Sequence, residues 1–145
     1  MKNIIKSWLP VFLWAAIIFF FSSNPDPYRF LPAAWRSAVP LPSISTSSAA
    51  ELLGQLMHLL EYAVLSFLIA RAFYKTASTH INIYTILIAS LFAFSDEIHQ
   101  YFVPGRAFQV IDLIIDFLGS LFGVFIYSKI KNQTAKARSH EDKQG

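Results

Sequence analysis

Residues 81–106 read INIYTILIASLFAFSDEIHQYFVPGR. The first part of this stretch carries no charge, and then Asp96, Glu97, His99 and Arg106 fall close together at its end. An α-helix rises ~1.5 Å per residue, so a hydrocarbon core ~30 Å thick takes about 20 apolar residues. The segment Ile81–Tyr101 meets that length. It reads as a membrane-spanning helix whose ionisable residues collect at one end.

The rest of the chain fits the same solvent. Of its 145 residues, 54% are hydrophobic and 14% charged, and Phe alone occurs 14 times. That balance is too apolar for a soluble domain of this size and points to a single membrane domain. Further apolar runs lie at about 4–21, 52–73 and 108–130. The expected fold is therefore all-α, an integral membrane bundle of four transmembrane helices over residues 1–130, with a disordered cytoplasmic tail at 131–145. Cysteine is absent, which excludes disulfides, thiolate metal sites and a cysteine nucleophile. The pI is near 9.3, but no basic face is patterned for nucleic acid.

The first run follows Lys2 and Lys6 and has the outline of a signal peptide. Phe20 and Phe21 stand where cleavage before or after Ser22 and Ser23 needs small residues, so a retained helix is expected. Pro10 is placed in its first turns, where a missing N–H costs little. Residues 22–50, SSNPDPYRFLPAAWRSAVPLPSISTSSAA, hold five of the seven prolines and read as a loop, with an interfacial turn around Tyr28 to Trp35. Ser47 or Ser48 is the expected N-cap of the second helix, with Glu51 in its first turn. The short YKTASTH segment makes the second and third helices antiparallel neighbours.

Four crossings return both termini to one side. That side carries Lys2, Lys6, Arg71, Lys75, Lys129, Lys131, Lys136, Arg138 and Lys143, and leaves Arg29, Arg36 and Arg106 opposite. The excess of basic residues assigns both termini to the cytoplasm. The outer ends are then the start of helix two, the end of helix three and the start of helix four. His58 and Glu61, Asp96, Glu97 and His99, and Asp112 and Asp116 all fall in this outer half.

Spacing groups these residues. His58, Glu61 and Tyr62 share a helix face, Asp96 shares one with His99 and Gln100, and Asp112 and Asp116 stand one turn apart. Glu97 points about 100° away from Asp96 around the helix, and which of the two acids faces the bundle interior stays open. An ionised side chain at mid-membrane costs at least about 2.5–3.5 kcal/mol. Such residues persist when they line a cavity, pair with a cation or take up protons. The layer is thus a candidate site, with Glu97, His99 and Arg106 as candidate catalytic groups. The candidate ligand-binding residues are His58, Glu61, Tyr62, Asp96, Gln100, Gly105, Arg106, Asp112 and Asp116. Gly119 and Gly123 form a G-x-x-x-G that most simply marks close helix packing, with dimerisation a weaker reading.

Three classes of function follow from this layer. A binding or modifying protein would take an anionic amphiphile, with the Arg106 fork donating to phosphate or carboxylate and Gly105 allowing close approach. A membrane-embedded hydrolase or transferase acting on a lipid-linked phosphate would use Glu97 and His99 as acid and base. For such an enzyme, His58, Glu61, Asp96 or Glu97, His99 and Asp112 offer a nitrogen and oxygen set suited to zinc or manganese, so a divalent metal stays open while no cofactor is required. Proton transport is disfavoured because the inner halves of the helices offer no matching polar stepping stones and four helices leave little room for alternating access, and a structural membrane subunit remains an alternative.

The blocks SSNP at 22–25, HLLEYAVLSFL at 58–68, SDEIHQYFVPGR at 95–106 and DLIIDFLGSLFG at 112–123 resemble the VanZ-like family of bacterial membrane proteins. The resemblance covers most of residues 10–127. This chain departs from it at Gln55, where family members commonly carry lysine, at Gly54, where aspartate is frequent, and at Asp116, often a neutral polar residue. The resemblance implies a multi-pass protein of the bacterial cytoplasmic membrane associated with low-level resistance to the glycopeptide antibiotic teicoplanin. Its implied partners are the lipid bilayer and a lipid-linked cell-wall intermediate or the antibiotic itself.

Overall fold

The computed structural model describes residues 2–25, 48–76 and 81–141. They form four helices: α1 (Lys2–Ser22), α2 (Ser48–Thr76), α3 (Ile81–Tyr101) and α4 (Val110–Glu141). Each is long and apolar enough to cross a membrane. The expected turn at Tyr28 to Trp35, the cap at Ser47 and the connection between α2 and α3 lie outside the described residues.

The helix limits differ from expectation in three places. Helix α2 begins at Ser48, about a turn before the apolar run, because Ala49, Ala50 and Glu51 are good helix formers. Helix α4 runs on to Glu141 where a disordered tail was expected from 131. Residues 131–139 are exposed, yet they contain neither Gly nor Pro and are rich in Lys, Ala, Gln and Arg, so the helix propagates beyond its packed part. Helix α1 begins at Lys2, so Pro10 lies inside it. There its missing N–H leaves the Lys6 carbonyl without its helical donor, a larger cost than the first-turn placement implied.

Ring contacts set the directions. Trp8 near the start of α1 packs on Phe73 near the end of α2, at 5.0 Å between centroids, and Phe73 meets Tyr84 at the start of α3 at 6.3 Å. Tyr127 of α4 packs on Phe67 and Tyr74 of α2. The helices therefore alternate in direction, α2 and α4 run parallel, and the start of α1 shares one end of the bundle with the later part of α4. Helix α2 is central, touching α1, α3 and, most extensively, α4.

The interior is rich in small and polar residues while the exterior is large and apolar. Ala63, Ala70, Ala72, Ala89, Ser66, Thr85 and Ser120 are buried, whereas Phe12, Leu52, Leu91, Phe122 and Phe125 are exposed. This inverts the arrangement of a soluble bundle and suits helices that face lipid and meet through small residues. Helix α1 is part of the packing, since its Val11 and Ile18 join Tyr62, Leu65 and Ile69 in the core.

The α2–α4 seam is the closest. A Cβ at Gly119 would collide with the Leu59 carbonyl, and one at Gly123 would strike the Ala63 carbonyl and the Ser66 hydroxyl. Both glycines of the G-x-x-x-G thus face α2 within the chain, which supports the packing reading over dimerisation. Leu59 and Ala63 are one turn apart, as are Gly119 and Gly123, so the parallel helices approach over successive turns. That approach carries α2 into α4 just above the glycines, where His58 meets Asp116.

Candidate functional site

The ends of α1 and α3 and the first turns of α2 and α4 meet at the pole away from Lys2. The chain turns there because Pro104, three residues past the end of α3, cannot continue the helical hydrogen bonding, and Gly105 adopts φ +83°. The Arg106 N–H donates to the Val103 carbonyl at 3.1 Å and closes the turn. Gln109 then opens α4, its carbonyl accepting the N–H of Asp112 at 3.1 Å.

The polar layer divides into two clusters, and this resolves how Asp96 and Glu97 are used. Both are buried, at 2% and 0% exposure, but they face different helices, as adjacent helical positions must.

The first cluster joins α3 to α1. Asp96 Oδ2 accepts the Ser22 hydroxyl at 2.6 Å and Gln100 Nε2 at 3.1 Å. His99 Nε2 lies 3.0 Å from the Ser23 hydroxyl, and its ring stacks on Phe19 at 4.2 Å. Trp14 Nε1 donates to the Glu61 backbone carbonyl at 2.9 Å and ties α1 to α2 just below. The sequence reading omitted Ser22 and Ser23 from the site. Their signal was the SSNP block, whose hydroxyls end α1 level with the acids of α3.

The second cluster joins α2, α3 and α4. His58 Nδ1 lies 3.0 Å from Asp116 Oδ1, and its Nε2 lies 4.0 Å from Asp112 Oδ2. Glu97 Oε2 accepts the Gln109 backbone N–H at 2.8 Å, where the opening of α4 favours a negative charge. One carboxylate oxygen on Glu97 and one on Asp116, Oε1 and Oδ2, are buried with no hydrogen-bond partner among the described residues. Arg106 is half-buried at the rim, with its Nε buried and likewise unpartnered.

Other expected site residues fall into place around these clusters. Glu61 is half-buried and within electrostatic reach of His58 on one side and Asp96 on the other. Tyr62 is fully buried, with its hydroxyl unpartnered among the described residues. Gly105 is exposed in the turn, with open space around the position of a Cβ. The proposed acid and base are thus divided between the two clusters: His99 contacts α1, and Glu97 contacts the start of α4.

With this geometry in view, a family model described as VanZ/LLP1 matches residues 7–132. The chain belongs to this family. The match takes in all four packed helices and both polar clusters. No curated protein and no solved structure matches the chain.

Proposed function

We propose that this VanZ/LLP1 family member is a cell-envelope protein whose polar layer opens outward and binds or modifies an anionic amphiphile, so lessening the effect of teicoplanin. The observation that carries this reading is a set of buried groups without a hydrogen-bond partner among the described residues, Arg106 Nε, Glu97 Oε1, Asp116 Oδ2 and Asp96 Oδ1, at one end of a bundle sheathed in apolar side chains. A buried polar atom without a partner costs roughly 1–3 kcal/mol, a cost that an incoming ligand relieves. Membrane-embedded ionisable groups gathered at the interior of a bundle are the usual mark of a functional site.

Orientation supports an outward opening. The pole opposite the site bears Lys2, Lys6, Arg71 and Lys75, with Lys129 and Lys131 on the later part of α4, and an excess of basic residues favours the cytoplasm. Arg106 at the rim suits a phosphate or carboxylate head group, which its planar fork can hold by two parallel hydrogen bonds. A lipid-linked cell-wall intermediate has that chemistry together with a tail suited to the lipid-facing exterior.

The test is teicoplanin susceptibility in a sensitive host expressing wild type, Glu97→Gln or Arg106→Ala, with folded membrane protein quantified in each strain. Protection by wild type and its loss in both variants at equal abundance is the expected result. Protection that persists in Arg106→Ala would remove the head-group reading, and no protection by wild type would remove the resistance reading.

A further inference from the structure

We propose that His58, Glu97 and Asp116 form a binding site for one divalent metal ion, zinc or manganese in chemistry, in the second polar cluster. A ligand atom from each residue can be chosen so that all lie within 4.8 Å of one another. The three come from three different helices, α2, α3 and α4, so the grouping is produced by packing and is absent from local sequence.

One observation beyond the gathering of acids points to a cation. Glu97 and Asp116 are 0% and 1% exposed, and each keeps one carboxylate oxygen without a hydrogen-bond partner among the described residues. Their other oxygens are used, Glu97 Oε2 by the Gln109 N–H and Asp116 Oδ1 by His58. Buried acceptors left over after the local hydrogen bonds are made are what a metal consumes.

The geometry suits a metal of small radius. Zinc holds nitrogen and carboxylate oxygen at about 2.0–2.2 Å, which puts neighbouring donor atoms roughly 3–3.5 Å apart. His58 Nδ1 and Asp116 Oδ1 already stand 3.0 Å apart, and a Glu97 oxygen lies within 4.8 Å of a ligand atom on each of the other two. Three protein ligands leave a position open for water or a ligand oxygen, as in catalytic zinc sites. Asp112 stands 4.0 Å from the other imidazole nitrogen of His58, beyond hydrogen-bond distance, and a small movement of its side chain on metal binding would let it accept that N–H and orient the ring. An outer partner of that kind typically strengthens metal binding by about 10–100-fold.

The inference rests on the same pocket as the proposed function and deepens it. A cation among the acids supplies the positive charge that lets an anionic head group approach past Glu97, Asp112 and Asp116. Arg106 then holds the outer side of the head group.

The experiment uses the full-length chain in detergent micelles, stripped with chelator and dialysed against zinc, manganese or magnesium in separate arms, with bound metal measured per folded chain. The expected result is about one zinc or manganese ion per chain, with affinity falling at least about tenfold in Glu97→Gln, Asp116→Asn and Asp112→Asn. Asp96→Asn should keep the metal, since Asp96 belongs to the other cluster. Equal loss in Asp96→Asn, or full retention in Glu97→Gln, overturns the assignment. Wild type alone gives a second readout: cobalt in place of zinc should show the absorption of a nitrogen and oxygen site, and a chain that takes up none of cobalt, zinc and manganese overturns the proposal without any variant. Failure here leaves the susceptibility result of the previous section standing, and a chain that binds metal without protecting the host separates the two in the other direction.

Discussion

Two helix contacts reach the same end of this bundle and build it differently. The α2–α4 seam is close, parallel and glycine-lined, and it ends in a cluster whose acids retain unpartnered oxygens. The contact of α1 with α3 is slighter, and it ends in a cluster where Asp96 accepts two hydrogen bonds on one oxygen and His99 meets both a hydroxyl and a ring. The first contact presses charged groups together without fully satisfying them. The second fastens α1 to the bundle through polar groups that serve one another, although Asp96 Oδ1 too is buried with no hydrogen-bond partner among the described residues. What separates a site from a latch is that His58, Glu97 and Asp116 converge from three helices, whereas the α1–α3 contact is made mainly of hydroxyl, amide and ring contacts to Asp96 and His99, although sequence alone reads both as one layer of charge.

The comparison breaks most completely at Gly123. Leucine there has nowhere to go, because the Ala63 carbonyl and Ser66 hydroxyl occupy the position of its Cβ. Backbone cannot yield as a flexible side chain can, so Gly123→Leu should cost upward of roughly 3 kcal/mol and separate α2 from α4. The measurement is the folded fraction in detergent by thermal or denaturant unfolding, with Gly105→Ala as the counterpart. Gly105 has open space around it, and only its φ of +83° resists alanine, at about 1–2 kcal/mol. Similar losses at the two glycines would show that the seam is not the tight contact described.

His58→Ala should come next. It leaves Asp116, 1% exposed, without the partner at 3.0 Å, and breaking a buried pair from one side typically costs about 3–5 kcal/mol when the remaining charge stays ionised. Asp116 can lessen this by taking up a proton, so the loss should sit at or below the lower end of that range and shrink as pH falls. A double variant, His58→Ala with Asp116→Asn, should recover much of the stability, because it removes the uncompensated acid together with its partner. Additive losses in the double variant would mean that the two side chains do not act as a pair.

How much of this was legible in the sequence follows from the kind of signal each feature leaves. Four apolar runs of membrane length announced the four helices, and charges in those runs announced the polar layer, since each costs too much in lipid to be incidental. The G-x-x-x-G at 119–123 announced close packing, because small residues at that spacing serve little else. The division of the layer was not legible. Asp96 and Glu97 are neighbours about 100° apart on the helix, and only the rotation of α3 against α1 and α4 decides which acid meets which partner. Ser22 and Ser23 went unnoticed because hydroxyls cost little to bury and carry no charge to single them out. The end of α4 was misread for the opposite reason: polar composition was taken as a break, while its Lys, Ala, Gln and Arg propagate a helix well.

The smallest effects belong to the latch. Ser22→Ala removes the hydroxyl that donates to Asp96 Oδ2 at 2.6 Å, but Gln100 Nε2 still donates to the same oxygen at 3.1 Å. Trp14→Phe removes the 2.9 Å bond to the Glu61 carbonyl, and that carbonyl retains the acceptor role that α2 itself gives it. Each should therefore cost about 1 kcal/mol, with a ceiling near 2 for a hydrogen bond to a charged group. The double variant should come close to the sum of the two, because the residues sit two turns apart on α1 and share no partner. The informative quantity is where the loss appears. If α1 is a latch, hydrogen exchange in the double variant should quicken in α1 and leave the amides of α2 and α4 around His58 and Asp116 as protected as before. Faster exchange at His58 and Asp116 would join the two clusters into one cooperative unit, and the distinction between site and latch would then fail.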